Sequence, residues 1–103
     1  MLVGFVFADE SGSKKRPALI VSSLAYNRRR AEVVVAAITS NVERRLFADH
    51  PIREWRSAGL LFPSLVTGII RTIKRKMIDR RLGALARTDL DAVDRELRRS
   101  LAL

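Results

Sequence analysis

Two apolar, β-branched runs set the pattern of this chain. Ala18-Leu19-Ile20-Val21 emerges from Lys14-Lys15-Arg16-Pro17 and closes on Ser22-Ser23, and Val33-Val34-Val35-Ala36-Ala37-Ile38 lies between Glu32 and Thr39-Ser40. Both read as strands bounded by turn-type or charged residues, over Arg16–Ser23 and Glu32–Thr39. Pro17 belongs near the start of its strand, because proline donates no ladder hydrogen bond. The short join, Leu24–Arg30, suits a helical turn and makes the two strands an antiparallel pair. Opposing residue numbers in such a pair have a constant sum. A register turning near Asn27 and Arg28 sets Arg16 opposite Thr39, a permanent cation beside a hydroxyl at one end of two strands.

The remaining pattern supplies further elements. Leu2–Phe7, apolar on both faces, predicts a covered first strand, and Ala8–Lys15, with Asp9, Ser11, Gly12 and Ser13, predicts a loop. Asn41–Pro51 reads as loop with a brief strand around Leu46 and Phe47, and Ile52–Ser57 fits either strand or turn. Leu65–Ile73 and Arg80–Leu85 are expected strands. Thr88 is the expected N-cap of the one strong helix, with Asp89 and Asp91 in its first turn. Leu90, Val93, Leu97 and Leu101 form its apolar stripe, and Asp91–Arg95 and Asp94–Arg98 its i,i+4 ion pairs. Such a helix packs as a lid across a sheet.

Composition narrows the function. The 103 residues suit one domain over 1–103, and 48% hydrophobic residues with a mean hydropathy of +0.01 suit a folded chain. Lys plus Arg number 20 against 11 Asp plus Glu, a net charge of +9. Arginine predominates among the cations, which favours a polyanionic partner gripped by guanidinium forks. Without cysteine there is no thiolate chemistry and no disulfide, and a reducing cytoplasm fits. No apolar run is long enough to span a bilayer, and no signal peptide is recognisable at the N-terminus.

Candidate chemistry centres on Arg16. Alone it is an ordinary solvated arginine, and Thr39 alone a strand-end threonine satisfying backbone. Together, with Lys14 and Lys15 beside them, they form a candidate phosphate site. Single His50, between Asp49 and Pro51, reads as structural or exposed in a loop, and it excludes a two-histidine acid–base mechanism within one chain. The carboxylates are too scattered for a metal site, so neither metal nor other cofactor is expected. Arg28-Arg29-Arg30 beside Tyr26 fits an RNA backbone, an acidic partner or a plain solvated connection equally well. Trp55, Phe5 and Phe7 read as core aromatics.

The segments Gly12–Ser22, Ala25-Tyr26-Asn27-Arg28 and Val33–Ser40 resemble the MazF/PemK toxins of bacterial toxin–antitoxin systems. The likeness continues through Ala58-Gly59-Leu60-Leu61, Arg71-Thr72-Ile73, Arg81-Leu82-Gly83 and the C-terminal helix. The resemblance implies a mainly β fold with a C-terminal α-helix: a compact antiparallel SH3-like or plug β-barrel of the MazF/CcdB type. It implies a homodimer, metal-independent and sequence-selective cleavage of single-stranded RNA, and restraint by an acidic, MazE-like cognate antitoxin. It assigns catalysis to Arg16 and Thr39, with Lys14, Lys15, Ser40, Asn41, Arg44 and Arg71 as expected RNA contacts. The sequence departs from the family in two ways. It starts inside the first strand without the usual Gly-Asp lead-in, so a shortened start is expected. It also carries Val66-Thr67-Gly68-Ile69-Ile70 where many members have charged residues, so no auxiliary catalytic group is expected there. Two other functions fit the same features: a noncatalytic toxin on this scaffold acting on a protein such as DNA gyrase, and a small basic RNA-binding module.

Overall fold

The computed structural model describes residues 4–11 and 14–103, with only the backbone described for 9–11. Six strands form one sheet: β1 (Phe5–Ser11), β2 (Lys14–Ile20), β3 (Glu32–Thr39), β4 (His50–Pro51), β5 (Leu65–Lys74) and β6 (Ile78–Ala84). Helix α1 (Leu24–Arg29) follows β2, a 3₁₀ turn at Arg75–Met77 links β5 to β6, and helix α2 (Arg87–Leu101) ends the fold. Strand order is β4-β5-β3-β2-β1-β6, and every neighbouring pair is antiparallel. The fold is thus mainly β with a C-terminal helix, as expected. The sheet is not closed into a barrel, since β4 and β6 are its edges.

The central pairing matches the sequence reading. Ala18 pairs with Ala37, Leu19 with Ala36 and Ile20 with Val35. The short α1 connection fixes this register. Ser23 caps it by accepting the Tyr26 N–H at 3.1 Å, as N-cap serines do. Because side chains alternate along a strand, the sheet buries apolar residues on both faces. Val6, Leu19, Ala36, Ile38 and Val66 join Ile52, Ala58, Leu60, Leu90 and Val93 in the core beneath α2. Ala18, Ile20, Val33, Val35 and Ile73 form a second cluster on the opposite face, against Phe7, Met77 and Ile78.

Several expectations are corrected. Residues 2–3 of the first expected strand and Gly12 and Ser13 of the expected loop lie outside the described residues. The rest of that loop is strand, since β1 continues to Ser11 and β2 begins at Lys14, with Asp9 in register with Arg16 and Glu10 with Lys15. A two-strand ladder satisfies the backbone whatever the side-chain polarity, so a polar stretch can extend a hairpin. β2 ends at Ile20 rather than Ser23. Leu46 and Phe47 form no strand; the brief strand is His50–Pro51, which pairs with Leu65–Val66. Residues 53–59 are turns, which resolves the open choice over Ile52–Ser57.

Helix α2 starts two residues earlier than Thr88 suggested. Ala86 is its N-cap and makes no side-chain cap bond. Asp91 consequently pairs with Arg87 at 3.2 Å rather than with Arg95, while the expected Asp94–Arg98 pair is present at 3.2 Å. Leu90 and Val93 are buried and Leu97 half-buried, but the stripe runs out at Leu101, which is 55% exposed. No helix among the described residues is long and apolar enough to cross a membrane.

Candidate active site

The β2–β3 ladder ends at Ala18–Ala37, and beyond it Arg16 on β2 and Thr39 on β3 line the same cleft. On the other side of β2, β1 carries Ala8 opposite Pro17 and, through its pairing with β6, opposite Arg80; Phe7 pairs with Arg81. Four adjacent strands therefore deliver Thr39, Arg16, Ala8 and the Arg80–Arg81 pair to one region. They line a cleft of about 650 Å³ together with Lys15, Ser40 and the segment Gly59–Phe62. The strands supply rigidity, and the loop after Ala58 supplies an apolar rim in which Leu61 is 83% and Phe62 63% exposed.

The glycines explain how that rim is held. Gly59 sits at φ +86°, where side chains are strained, and a Cβ there would lie 2.1 Å from the Leu82 carbonyl oxygen. A Cβ on Gly83 would lie 2.5 Å from the Ala58 carbonyl oxygen. The loop and β6 therefore touch backbone to backbone, which fixes Leu60–Phe62 over the strands bearing the arginines.

Within the cleft, the Thr39 hydroxyl oxygen accepts the Asn41 N–H at 3.2 Å, leaving its own hydrogen free to donate. Lys15 Nζ is tied to Asp79 at 3.1 Å. The Arg81 guanidinium stacks 3.9 Å from the Phe5 ring centroid. Among the described residues, Arg16 makes no hydrogen bond or ion pair. No histidine or carboxylate among the described residues lines the cleft.

Thr39 also lines a second cleft of about 470 Å³, walled by Asn41, Arg44, Phe47, Asp49, Thr67 and Ile69, among others. The expected RNA contacts thus divide: Lys15 and Ser40 stand with Arg16, and Asn41 and Arg44 occupy the adjoining cleft. Lys14 and Arg71 line neither; Arg71 lies opposite Val35, well along β5. Sequence reasoning missed Arg80 and Arg81 as site residues. Their adjacency on an expected strand was visible, but the pairing of the last strand with the first was not.

His50 lies outside both clefts. Its Nε2 is 2.9 Å from Asp89 Oδ1, and Asp89 also accepts the Arg53 and Glu54 N–H groups at 2.9 and 3.0 Å. Burial opposes ionisation of Asp89, but the two backbone donors and His50 outweigh it and hold the carboxyl below its ordinary range. His50 is thus structural, as expected, though in a strand rather than a loop. Asp89, expected as a helix-dipole residue, is a buried tie between α2 and residues 50–54. No group of three or more His, Asp and Glu side chains among the described residues could hold a metal ion.

This scaffold recurs in toxins. The chain superposes on an endoribonuclease in complex with its cognate antitoxin, from a mycobacterial species, with TM-score 0.84 at 24% identity over 100% of this chain and 96% of that one. The Mycobacterium tuberculosis toxin MazF-mt6 matches with TM-score 0.80 at 27% identity over 97% of each chain. A MazE–MazF complex from Deinococcus radiodurans matches with TM-score 0.78 at 17% identity, covering 99% and 94%. No curated protein sequence matches significantly. The profile of PemK-like, MazF-like toxins of type II toxin–antitoxin systems matches residues 3–101, which sets the chain among the toxins of such systems. It belongs to their PemK-like, MazF-like family.

Proposed function

We propose that this toxin is a metal-independent, sequence-selective endoribonuclease of single-stranded RNA, restrained by an acidic MazE-like antitoxin. The observation that carries the reading is that Arg16 and Thr39, from neighbouring strands, line one cleft that also holds Arg80 and Arg81. In the proposed reaction a ribose 2′-oxygen attacks the adjacent phosphorus. The P–O5′ bond breaks, leaving a 2′,3′-cyclic phosphate and a free 5′-hydroxyl. Negative charge builds on the five-coordinate phosphorus. The Arg16 guanidinium answers it with directed, charged donors, and the Thr39 hydroxyl adds another. Arginine is a poor general base, so Arg16 acts by charge stabilisation. Arg80 and Arg81 add phosphate affinity.

The family supports the toxin role, and similar structures described as endoribonucleases support the reaction class. The scattering of the carboxylates along the sequence motivates the metal-free reading. We further propose a homodimer, in which two clefts form one longer channel for a strand, acting in the cytoplasm. Incubation of the purified protein with single-stranded RNA, with and without EDTA, tests the central claim. Cleavage should persist in EDTA and yield cyclic-phosphate ends. Loss on chelation with recovery on adding a divalent ion would refute the metal-free reaction, and intact RNA throughout would refute the nuclease reading.

A further inference from the structure

We propose that the cleft on the far side of Thr39 is a nucleobase subsite, with Phe47 as its stacking platform and Asn41 as its base-reading side chain. The proposal rests on the RNA reading above. Its first support is continuity: Thr39 lines both clefts, so a strand whose phosphate lies between Arg16 and Thr39 has its next nucleotide beside the second one. Its second is the wall chemistry. Phe47 is 68% exposed although it is a large apolar ring, and the Arg99 guanidinium lies 4.9 Å from its centroid. An exposed ring backed by a guanidinium is the arrangement on which unstacked bases settle. Asn41 offers an amide with both donors and an acceptor, able to read a base edge, and Arg44 supplies a cation for the flanking phosphate.

The third support is the rigidity of the platform. Asp49 is buried, and its two carboxylate oxygens accept the Leu46 N–H at 2.9 Å and the Gly68 N–H at 3.3 Å. Ala48 sits at φ +72°, a conformation that alanine adopts only when its surroundings impose it. Asp49 thus clamps the turn carrying Phe47 onto β5. Gly68 lets that turn approach, since a Cβ there would lie 3.3 Å from the Ala48 Cβ. A pinned, exposed aromatic beside a cationic phosphate site is preorganised to stack rather than to fill a core.

The test uses a noncleavable 2′-O-methyl RNA series in which 2-aminopurine occupies each position in turn, so binding is read without cleavage. One position should lose fluorescence on binding through stacking. Phe47→Leu should remove that quenching and weaken binding roughly tenfold, while Phe47→Tyr should restore both. In parallel, cleavage of a randomised RNA pool by Asn41→Ala should relax base preference at one position next to the cut. Position-specific quenching by a wild type that cuts nothing would support the subsite and refute the nuclease reading. Normal cleavage with the same quenching and preferences in the Phe47→Leu and Asn41→Ala proteins would overturn the subsite alone. RNA binding unchanged in Phe47→Leu while antitoxin binding collapses would assign the cleft to the protein partner and overturn it equally.

Discussion

Gly59 and Gly83 face each other backbone to backbone, each occupying the space that the other's strand or loop would deny to a side chain: added Cβ atoms would lie 2.1 Å from Leu82 O and 2.5 Å from Ala58 O. This contact joins the apolar rim of the cleft to the strand that brings in Arg80 and Arg81.

The first prediction follows from that contact. Gly59→Ala must accept both a left-handed backbone and a clash with main-chain atoms that cannot rotate away, so it should destabilise the fold by roughly 2–4 kcal/mol. Gly83→Ala, with a clash but no positive φ, should cost less. Urea denaturation of the two variants gives the ranking. A Gly59→Ala protein as stable as the parent would show that loop and β6 are free to separate.

The second prediction concerns Arg16 and Thr39, which line the same cleft. Arg16→Ala should abolish RNA cleavage at little cost in stability, because Arg16 is exposed and bonds to no described side chain. Thr39→Ala should also lose cleavage but destabilise by about 1 kcal/mol, since the Asn41 N–H loses its acceptor. Thr39→Ser keeps the hydroxyl and should retain much of the activity. Circular dichroism checks folding and a labelled oligonucleotide checks cutting. Near-parental cleavage by Arg16→Ala would remove Arg16 from the mechanism.

How far the sequence revealed this site depends on how local each relationship is. The Ala18–Ala37 pairing, and with it the placing of Arg16 and Thr39 in one cleft, was legible because a short turn links their strands and fixes one register. Strand β3 was legible to the residue because Val33–Ile38 is an unbroken apolar run between Glu32 and Thr39-Ser40. β1 was misread past Phe7 because its outer half is polar, and a ladder does not require apolar side chains. Arg80 and Arg81 escaped notice because their position depends on the last strand pairing with the first, a contact no local pattern encodes. Asp89 shows the same limit: its place in the first helical turn was visible, but its partners lie more than thirty residues away.

Asp89 carries the third prediction. Its carboxyl is held below its ordinary range in the folded state. A depressed folded value stabilises the protein above the unfolded-state value, and that stability is lost as pH falls through the folded value. Stability should therefore drop on the acid side, below about pH 5. Asp89→Asn removes the charge that answers the Arg53 and Glu54 N–H groups and His50. It should lower stability at neutral pH by roughly 2–4 kcal/mol and flatten the acid limb. Thermal melts across pH give the comparison. An acid limb of unchanged slope in the variant would mean that other carboxylates set the acid sensitivity.

The fourth prediction concerns inhibition. The cleft combines four cations, Lys15, Arg16, Arg80 and Arg81, with an exposed apolar rim at Leu61 and Phe62. A flexible acidic antitoxin segment could match both: carboxylates over the arginines, and an apolar side chain against the rim. Ordering such a segment costs conformational entropy, so charge speeds the encounter and the apolar anchor must slow release. Inhibition should accordingly be competitive with RNA. The association rate should fall steeply as salt rises, because screening shortens from roughly 10 Å at 0.1 M to about 3 Å at 1 M ionic strength. Dissociation should respond little to salt but accelerate in Leu61→Ser or Phe62→Ser, and the double charge variant Arg80→Gln/Arg81→Gln should slow association instead. Stopped-flow competition against a noncleavable RNA at two salt concentrations separates these effects. Antitoxin and RNA bound together without mutual weakening would disprove a shared cleft.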